Sequence, residues 1–103
     1  MSANRFPAEL VRAQQQVWAH EAASRAFVLA GPDSPVGCWP LPRQTEYRRL
    51  RESLRQARQQ VEQHPLMAAA IADHRWSAMA RALARAAAED TPAPAPAPQR
   101  TAA

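Results

Sequence analysis

The middle of the chain carries apolar residues at alternating intervals of three and four positions. The members of this apolar stripe are Tyr47, Leu50, Leu54, Ala57 and Val61. Residues at these intervals fall on one side of an α-helix, because a helix completes a turn every 3.6 residues or so. The pattern predicts a helix that starts at about Pro42 or Thr45, ends at Gln63 and buries one edge.

A row of arginines runs beside the apolar stripe on the same predicted helix. Its members, called the Arg row below, are Arg48, Arg51, Arg55 and Arg58. At about 100° per residue they span an arc of about 80°. The row either contacts an acidic or phosphate-bearing partner, or forms a solvated flank whose aliphatic stems cover the edge of the core. Glu52 and Glu62 each follow an arginine of the row by four positions, which predicts ordinary ion pairs within the helix.

The N-terminal part of the chain predicts a first helix, from Pro7 to about Ala30. Proline suits the first helical position, and Gly31 followed by Pro32 is a typical helix stop. The predicted apolar face of this helix consists of Leu10, Val11, Val17, Trp18, Ala22, Val28 and Leu29.

A third helix is predicted from Leu66 to about Glu89. Pro65 separates it from the second helix, and His64 is a predicted boundary and a possible cap. The main stripe of this helix consists of Ala72, Trp76, Met79 and Leu83, with Met67 and Ile71 on another side. Apolar residues on two sides indicate two neighbours, and from this surplus we expect a homodimer.

Residues 31–42, with the sequence GPDSPVGCWPLP, are predicted to form a loop between the first two helices. They hold both glycines of the chain and four of its prolines. The loop is apolar for its kind, since it contains Val36, Trp39 and Leu41. Trp39 therefore either packs down on the helices or belongs to a contact surface.

These elements predict an all-α fold. The arrangement is a three-helix bundle, or a helical hairpin plus a third helix, within a domain that covers residues 1–90. Residues 91–103, TPAPAPAPQRTAA, alternate proline with alanine and predict a disordered, extended tail. Such a tail is a spacer or, alternatively, a ligand for a proline-recognising domain.

Composition adds a basic character and little else. The 103 residues include 13 basic side chains, all arginine, and the net charge is +4. This balance favours nucleic acid, acidic proteins or anionic surfaces as partners. A single cysteine, Cys38, excludes an internal disulfide. Neither a membrane span nor a secretion signal is visible, so we expect a cytoplasmic protein.

The sequence offers no recognisable catalytic, metal or cofactor site. Asp73, His74 and Arg75 are adjacent, and neighbours on a helix point in different directions, which argues against a convergent site. The three histidines show no spacing typical of metal ligands. A Cys38–histidine pair lacks any visible orienting group. We therefore expect no catalytic residue, no metal and no cofactor, and Trp76 is predicted to be a core anchor.

Three segments carry a resemblance to a known group of proteins. They are the opening FPAELVRAQQQVWAHEA, the charged middle helix ending in HP, and a third helix that carries a tryptophan. Over about the first 85 residues, the chain resembles small α-helical proteins of high-GC actinomycete type that have no assigned function. The resemblance implies a cytoplasmic accessory protein, and it assigns no role to any residue.

The sequence therefore predicts a non-enzymatic helical module for protein–protein interaction or self-association. Its expected contact residues are the Arg row, Arg48, Arg51, Arg55 and Arg58, together with Trp39. The expected partner is an acidic protein or a second copy of the chain. The alternative is an accessory nucleic-acid-binding protein that uses the same arginines.

Overall fold

A computed structural model describes residues 6–90 of the chain. This part folds into four α-helices and contains no strand: α1 spans Ala8–Leu29, α2 spans Leu41–Gln63, α3 spans Pro65–Ala72 and α4 spans Trp76–Asp90. A single 3-10 turn, Val36–Cys38, lies in the loop between α1 and α2. The all-α prediction is confirmed. The predicted tail, residues 91–103, lies outside the described residues.

The core forms where α1, α2, α3 and α4 meet. Both α1 and α3 pack against α2 and also against α4. The buried core side chains are Leu10, Val11, Val17, Leu54, Ala57, Val61, Met67, Leu83 and Ala87. Half-buried Trp76 packs against this core, as the sequence predicts. The apolar stripe of α2 is thus buried over its second half, whereas Tyr47 and Leu50 are half-buried.

Helix α1 runs antiparallel to α2, and its buried line differs from the predicted one. Phe27, near the end of α1, stacks on Tyr47 near the start of α2 with 6.4 Å between ring centroids. Val28 and Leu29, assigned to the apolar face by the sequence, are 38% and 77% exposed. Phe27, not its two neighbours, turns towards α2, because adjacent residues on a helix point about 100° apart.

The boundary between α2 and α3 is the predicted one, and His64 caps α3. The Leu66 main-chain N–H donates to His64 Nδ1 at 3.2 Å. The other ring nitrogen, Nε2, lies 3.3 Å from Glu9 Oε2 on α1. A histidine with its proton on Nε2 satisfies both contacts at once, accepting through Nδ1 and donating to the carboxylate. His64 therefore joins the start of α3 to the start of α1.

The prediction of one helix from Leu66 to about Glu89 is wrong, because this segment forms two helices, α3 and α4. His74 adopts a positive φ of 57° and ends α3. Its N–H donates to the Ile71 carbonyl at 3.1 Å, and the Arg75 N–H donates to the Ala70 carbonyl at 2.7 Å. This pair of bonds is the Schellman motif, which usually places glycine at the left-handed position. The turn brings Met67 of α3 and Leu83 of α4 into one core, where both are fully buried.

The two longest helices, α1 and α2, contain 22 and 23 residues. Charged side chains are distributed along α2 in particular, including the whole Arg row. Within residues 6–90, no helix combines the length and the apolar character that crossing a bilayer requires.

Candidate functional site

The fold divides the Arg row into two pairs. Arg51 and Arg58 lie on the side of α2 that faces α1, where both line a cleft between these helices. Arg48 and Arg55 do not line this cleft, although they are exposed on the same helix. The row is therefore not one surface, and its two halves must be considered separately.

The cleft between α1 and α2 has a volume of about 360 Å³ and is called the α1–α2 cleft below. Its walls are formed by Glu21, Ser24, Arg25 and Val28 from α1, and by Tyr47, Arg51, Leu54 and Arg58 from α2. Ser24 and Leu54 are buried and form its floor, whereas Arg25, Arg51 and Arg58 are exposed. A buried floor that holds one hydroxyl, with a basic rim above it, suits a ligand that carries negative charge.

The α1–α2 cleft is lined by three arginines and by one carboxylate, that of Glu21. Arg58 Nη2 lies 3.2 Å from Glu21 Oε2, so this ion pair joins α2 to α1 across the cleft. The predicted intrahelical pair of Arg58 with Glu62 is wrong, since Arg58 bonds across to α1 instead. Within residues 6–90, neither Arg25 nor Arg51 has a carboxylate partner. The cleft thus holds two guanidinium charges that no described side chain neutralises.

The outward pair of the Arg row differs in its partners. Arg55 holds Glu52 with both arms of its guanidinium, Nη2 to Oε2 at 2.6 Å and Nε to Oε1 at 3.0 Å. The predicted pair of Glu52 with Arg48 is wrong, because Glu52 is held by Arg55 instead. The bonds from Arg55 lower the pKa of the Glu52 carboxyl and raise the pKa of the Arg55 guanidinium. Arg55 is therefore already engaged.

Ser24 is the unusual residue of the cleft floor. It is 7% exposed, and its hydroxyl has no hydrogen-bond partner among residues 6–90. A serine inside a helix usually returns its hydrogen to the carbonyl four residues earlier. Unpaired buried hydroxyls are uncommon and call for an explanation. Here the hydroxyl lies in the same cleft as two unneutralised arginines.

Sequence reasoning missed Arg25 and Ser24. Both lie on α1, whereas the basic pattern that attracted attention lies on α2. One signal was present: Val17, Glu21, Ser24 and Val28 follow intervals of four, three and four, the same pattern that marks the apolar stripe. The two polar residues on this line, Glu21 and Ser24, indicate that the contact between helices includes polar interactions.

Trp39 lies apart from the cleft and is buried. Its side chain is 4% exposed, its indole N–H donates to the Ser34 carbonyl at 3.0 Å, and its ring meets Tyr47 edge-on at 5.5 Å. The interpretation that Trp39 packs on the helices is therefore confirmed. Trp39, expected from the sequence to be a contact residue, therefore presents almost no exposed surface to a partner.

The remaining polar side chains do not converge. In the part of the chain that the structure describes, no three histidine, cysteine or acidic residues are close enough to hold a metal ion. Cys38 is exposed on the 3-10 turn. His74 does not line the α1–α2 cleft. It lies in a separate open groove, which is also lined by Glu62, Ile71, Trp76 and Ser77. The α1–α2 cleft therefore remains the best candidate site.

Comparison with protein-family models, with curated proteins and with solved structures finds no match for this chain. What the protein does must therefore be argued from its own residues. The arrangement they offer is a basic cleft with one closing ion pair, two unneutralised arginines and a buried hydroxyl.

Proposed function

We propose that the protein is a cytoplasmic, non-enzymatic binding module whose α1–α2 cleft receives an acidic segment of a protein partner. The observation that carries this proposal is the pair Arg25 and Arg51. They come from different helices, line one cleft and have no carboxylate partner within residues 6–90. Two cations held near each other repel, and a negatively charged segment between them removes that cost.

The chemistry of arginine fits such a partner. A guanidinium presents a flat fork of donors that matches a carboxylate or a phosphate with two parallel bonds. One exposed ion pair contributes at most about 1 kcal/mol, so a single carboxylate would bind weakly. An extended acidic segment that contacts Arg25 and Arg51 in the cleft, and the exposed Arg48 beside it, gathers several such contacts.

A second copy of the chain fits this surface less well than an acidic partner. The net charge is +4, so two copies repel at long range. In a two-fold dimer built on the cleft, each patch faces its own copy. Arg51 would then face the arginines of an identical cleft. The basic character of the site therefore favours a partner of opposite charge.

Nucleic acid is the competing partner, and the geometry supports it less. A phosphate backbone is tracked best by a continuous line of unengaged cations. Half of the Arg row is already paired, Arg55 with Glu52 and Arg58 with Glu21. Base stacking on exposed aromatic rings strengthens the binding of single-stranded nucleic acid, and buried Trp39 offers no such ring.

The test compares two variants that lose the same charge. Arg25→Gln combined with Arg51→Gln removes the unneutralised pair from the cleft. Arg81→Gln combined with Arg85→Gln, at exposed positions of α4, is the matched control. Partners that copurify with the parent from its native host are identified, purified and titrated with each variant at low and physiological salt.

We expect the cleft variant to lose about tenfold or more in affinity for an acidic protein partner, while the α4 control binds like the parent. Equal loss in both variants would mean that only net charge matters, and the proposal would be wrong. Recovery of DNA or RNA alone, with affinity that falls steeply as salt rises, would replace the acidic protein by nucleic acid. Circular dichroism of each variant confirms that its helices are intact.

A further inference from the structure

We infer that the α1–α2 cleft is a site for a phosphomonoester group, presented by the partner as phosphoserine or phosphothreonine. This inference rests on the proposed function and names the chemical group that the cleft selects. The groups assigned to it are the guanidiniums of Arg25 and Arg51 and the hydroxyl of Ser24. All three residues line the same cleft.

The charge of the site matches a phosphomonoester better than a carboxylate. Arg25 and Arg51 contribute two positive charges that no carboxylate among residues 6–90 neutralises. A phosphomonoester carries about −1.5 to −2 at neutral pH, whereas a glutamate or aspartate side chain carries −1. A phosphate therefore neutralises both guanidiniums, and a single carboxylate leaves one of them unbalanced. Arg58 does not add to this excess, because Glu21 holds it.

The Ser24 hydroxyl supplies a third donor. It is buried, and its oxygen has no partner in the described part of the chain. A phosphomonoester offers three acceptor oxygens, one for each of the two guanidiniums and the hydroxyl. A carboxylate has only two oxygens, so the three donors would have to share them. The unpaired hydroxyl is therefore better explained by a phosphate than by an acidic side chain.

Side-chain movement is needed for the hydroxyl to be reached. The Ser24 oxygen is covered, so a ligand must displace the side chains that cover it. Arg25 and Arg51 are exposed and form no ion pair within residues 6–90, so their movement breaks no such bond. Arg58 is 50% exposed and is held by one ion pair only. Moving these three arginines therefore breaks at most one ion pair between described residues, that of Arg58 with Glu21.

The experiment titrates the full chain and follows its amide and arginine signals by nuclear magnetic resonance. The first probe is inorganic phosphate, with acetate at the same ionic strength as its control. The second probe is a pair of short capped peptides that differ only in phosphoserine against glutamate. We expect saturable shifts at Ser24, Arg25 and Arg51 with phosphate, and tenfold or so weaker binding of the glutamate peptide.

Two sets of variants locate the site. Arg25→Gln with Arg51→Gln is expected to abolish saturable binding of phosphate, while Arg81→Gln with Arg85→Gln preserves it. Ser24→Ala is expected to weaken phosphate binding severalfold and to keep or raise the melting temperature. It removes an unpaired buried hydroxyl and places a better helix former in α1. A lowered melting temperature in Ser24→Ala would show that the hydroxyl has a structural bond and would overturn its assignment.

The result separates this inference from the proposed function. If phosphate and acetate shift the same signals equally, or the two peptides bind equally, the phosphate assignment is wrong. The proposed function then still stands, provided that the cleft variant loses its acidic protein partner and the α4 control does not. Shifts spread over all exposed arginines, without saturation, would likewise overturn the site.

Discussion

Arg43 of α2 donates a hydrogen bond to the main-chain carbonyl of Phe27 in the last turns of α1, and its guanidinium carbon lies 3.9 Å from the centre of the Phe27 ring. The same guanidinium lies 4.7 Å from the Trp39 ring. The last turn of α1 contains no basic residue of its own. Arg43 therefore supplies the positive charge that suits a helix C-terminus, and it joins α1, the loop and α2.

Arg43→Gln is expected to lower the free energy of unfolding by about 2 kcal/mol. The change removes a charged donor from the α1 carbonyl and a cation from two aromatic rings. Chemical denaturation measures the loss. Arg85→Gln, at an exposed position of α4, is the control and should unfold like the parent. Equal stability of the two variants would contradict the role given to Arg43.

Gly31→Ala is expected to destabilise the protein, and Gly37→Ala is not. A β-carbon at Gly31 would collide with the guanidinium of Arg43, whereas a β-carbon at Gly37 meets nothing within 4 Å. We expect a cost of about 1–2 kcal/mol at Gly31, since overpacking displaces the guanidinium from its place. In the Arg43→Gln background most of this cost should vanish, because the obstacle is gone. Additive costs would show that the two residues act independently.

His74→Gly is expected to stabilise the protein by about 1 kcal/mol, because glycine takes a left-handed conformation without the strain of a side chain. The matched control is Ala69→Gly, at an exposed position in the interior of α3. Glycine there should destabilise by about 1 kcal/mol, as it does in any helix interior. Thermal unfolding of the two variants shows whether each substitution raises or lowers the melting temperature. A destabilised His74→Gly would mean that the imidazole contributes more than its backbone strain costs.

Leu54→Asp is expected to unfold the protein. Leu54 is 3% exposed and lies in the middle of the apolar stripe. An aspartate there is an unpaired buried charge, which lowers the free energy of unfolding by several kcal/mol. Gln60→Asp, at an exposed position of the same helix, controls for the effect of aspartate on α2. Circular dichroism decides, and unchanged helicity and melting temperature in Leu54→Asp would refute the burial of this residue.

Arg55→Gln is expected to raise the pKa of Glu52 towards its ordinary value. The hydrogen bond from Arg55 is the largest cause that lowers the pKa of this carboxyl. A lowered folded-state pKa stabilises the fold above the unfolded-state pKa, and this contribution is lost as the pH falls through the folded-state pKa. Side-chain nuclear magnetic resonance follows the titration. Arg48→Gln is the control and should leave the Glu52 titration unchanged. A shifted Glu52 pKa in that variant would show that Glu52 pairs with Arg48, as expected from the sequence.

Residue order alone is enough to predict those features that depend on neighbours within about one turn of helix. The spacing of Leu54, Ala57 and Val61 identifies α2 and its buried edge, because helical period and burial of an apolar stripe are both local consequences of residue order. The break at His64 is local too, since Pro65 restricts the residue before it. The break at His74 was not predicted, because histidine only occasionally adopts the left-handed conformation. A glycine at this position would have indicated the end of the helix.

Which charged side chains meet depends on how the helices pack against each other. From sequence, Arg58 has an acidic residue four positions away, yet its partner is Glu21 on α1, 37 positions distant along the chain. Arg25 and Ser24 join Arg51 only because α1 and α2 run antiparallel and form one cleft. Ion pairs and clefts between helices depend on how two faces are rotated and aligned against each other. That alignment is set by the packing of the whole core, and no spacing within a single helix contains it.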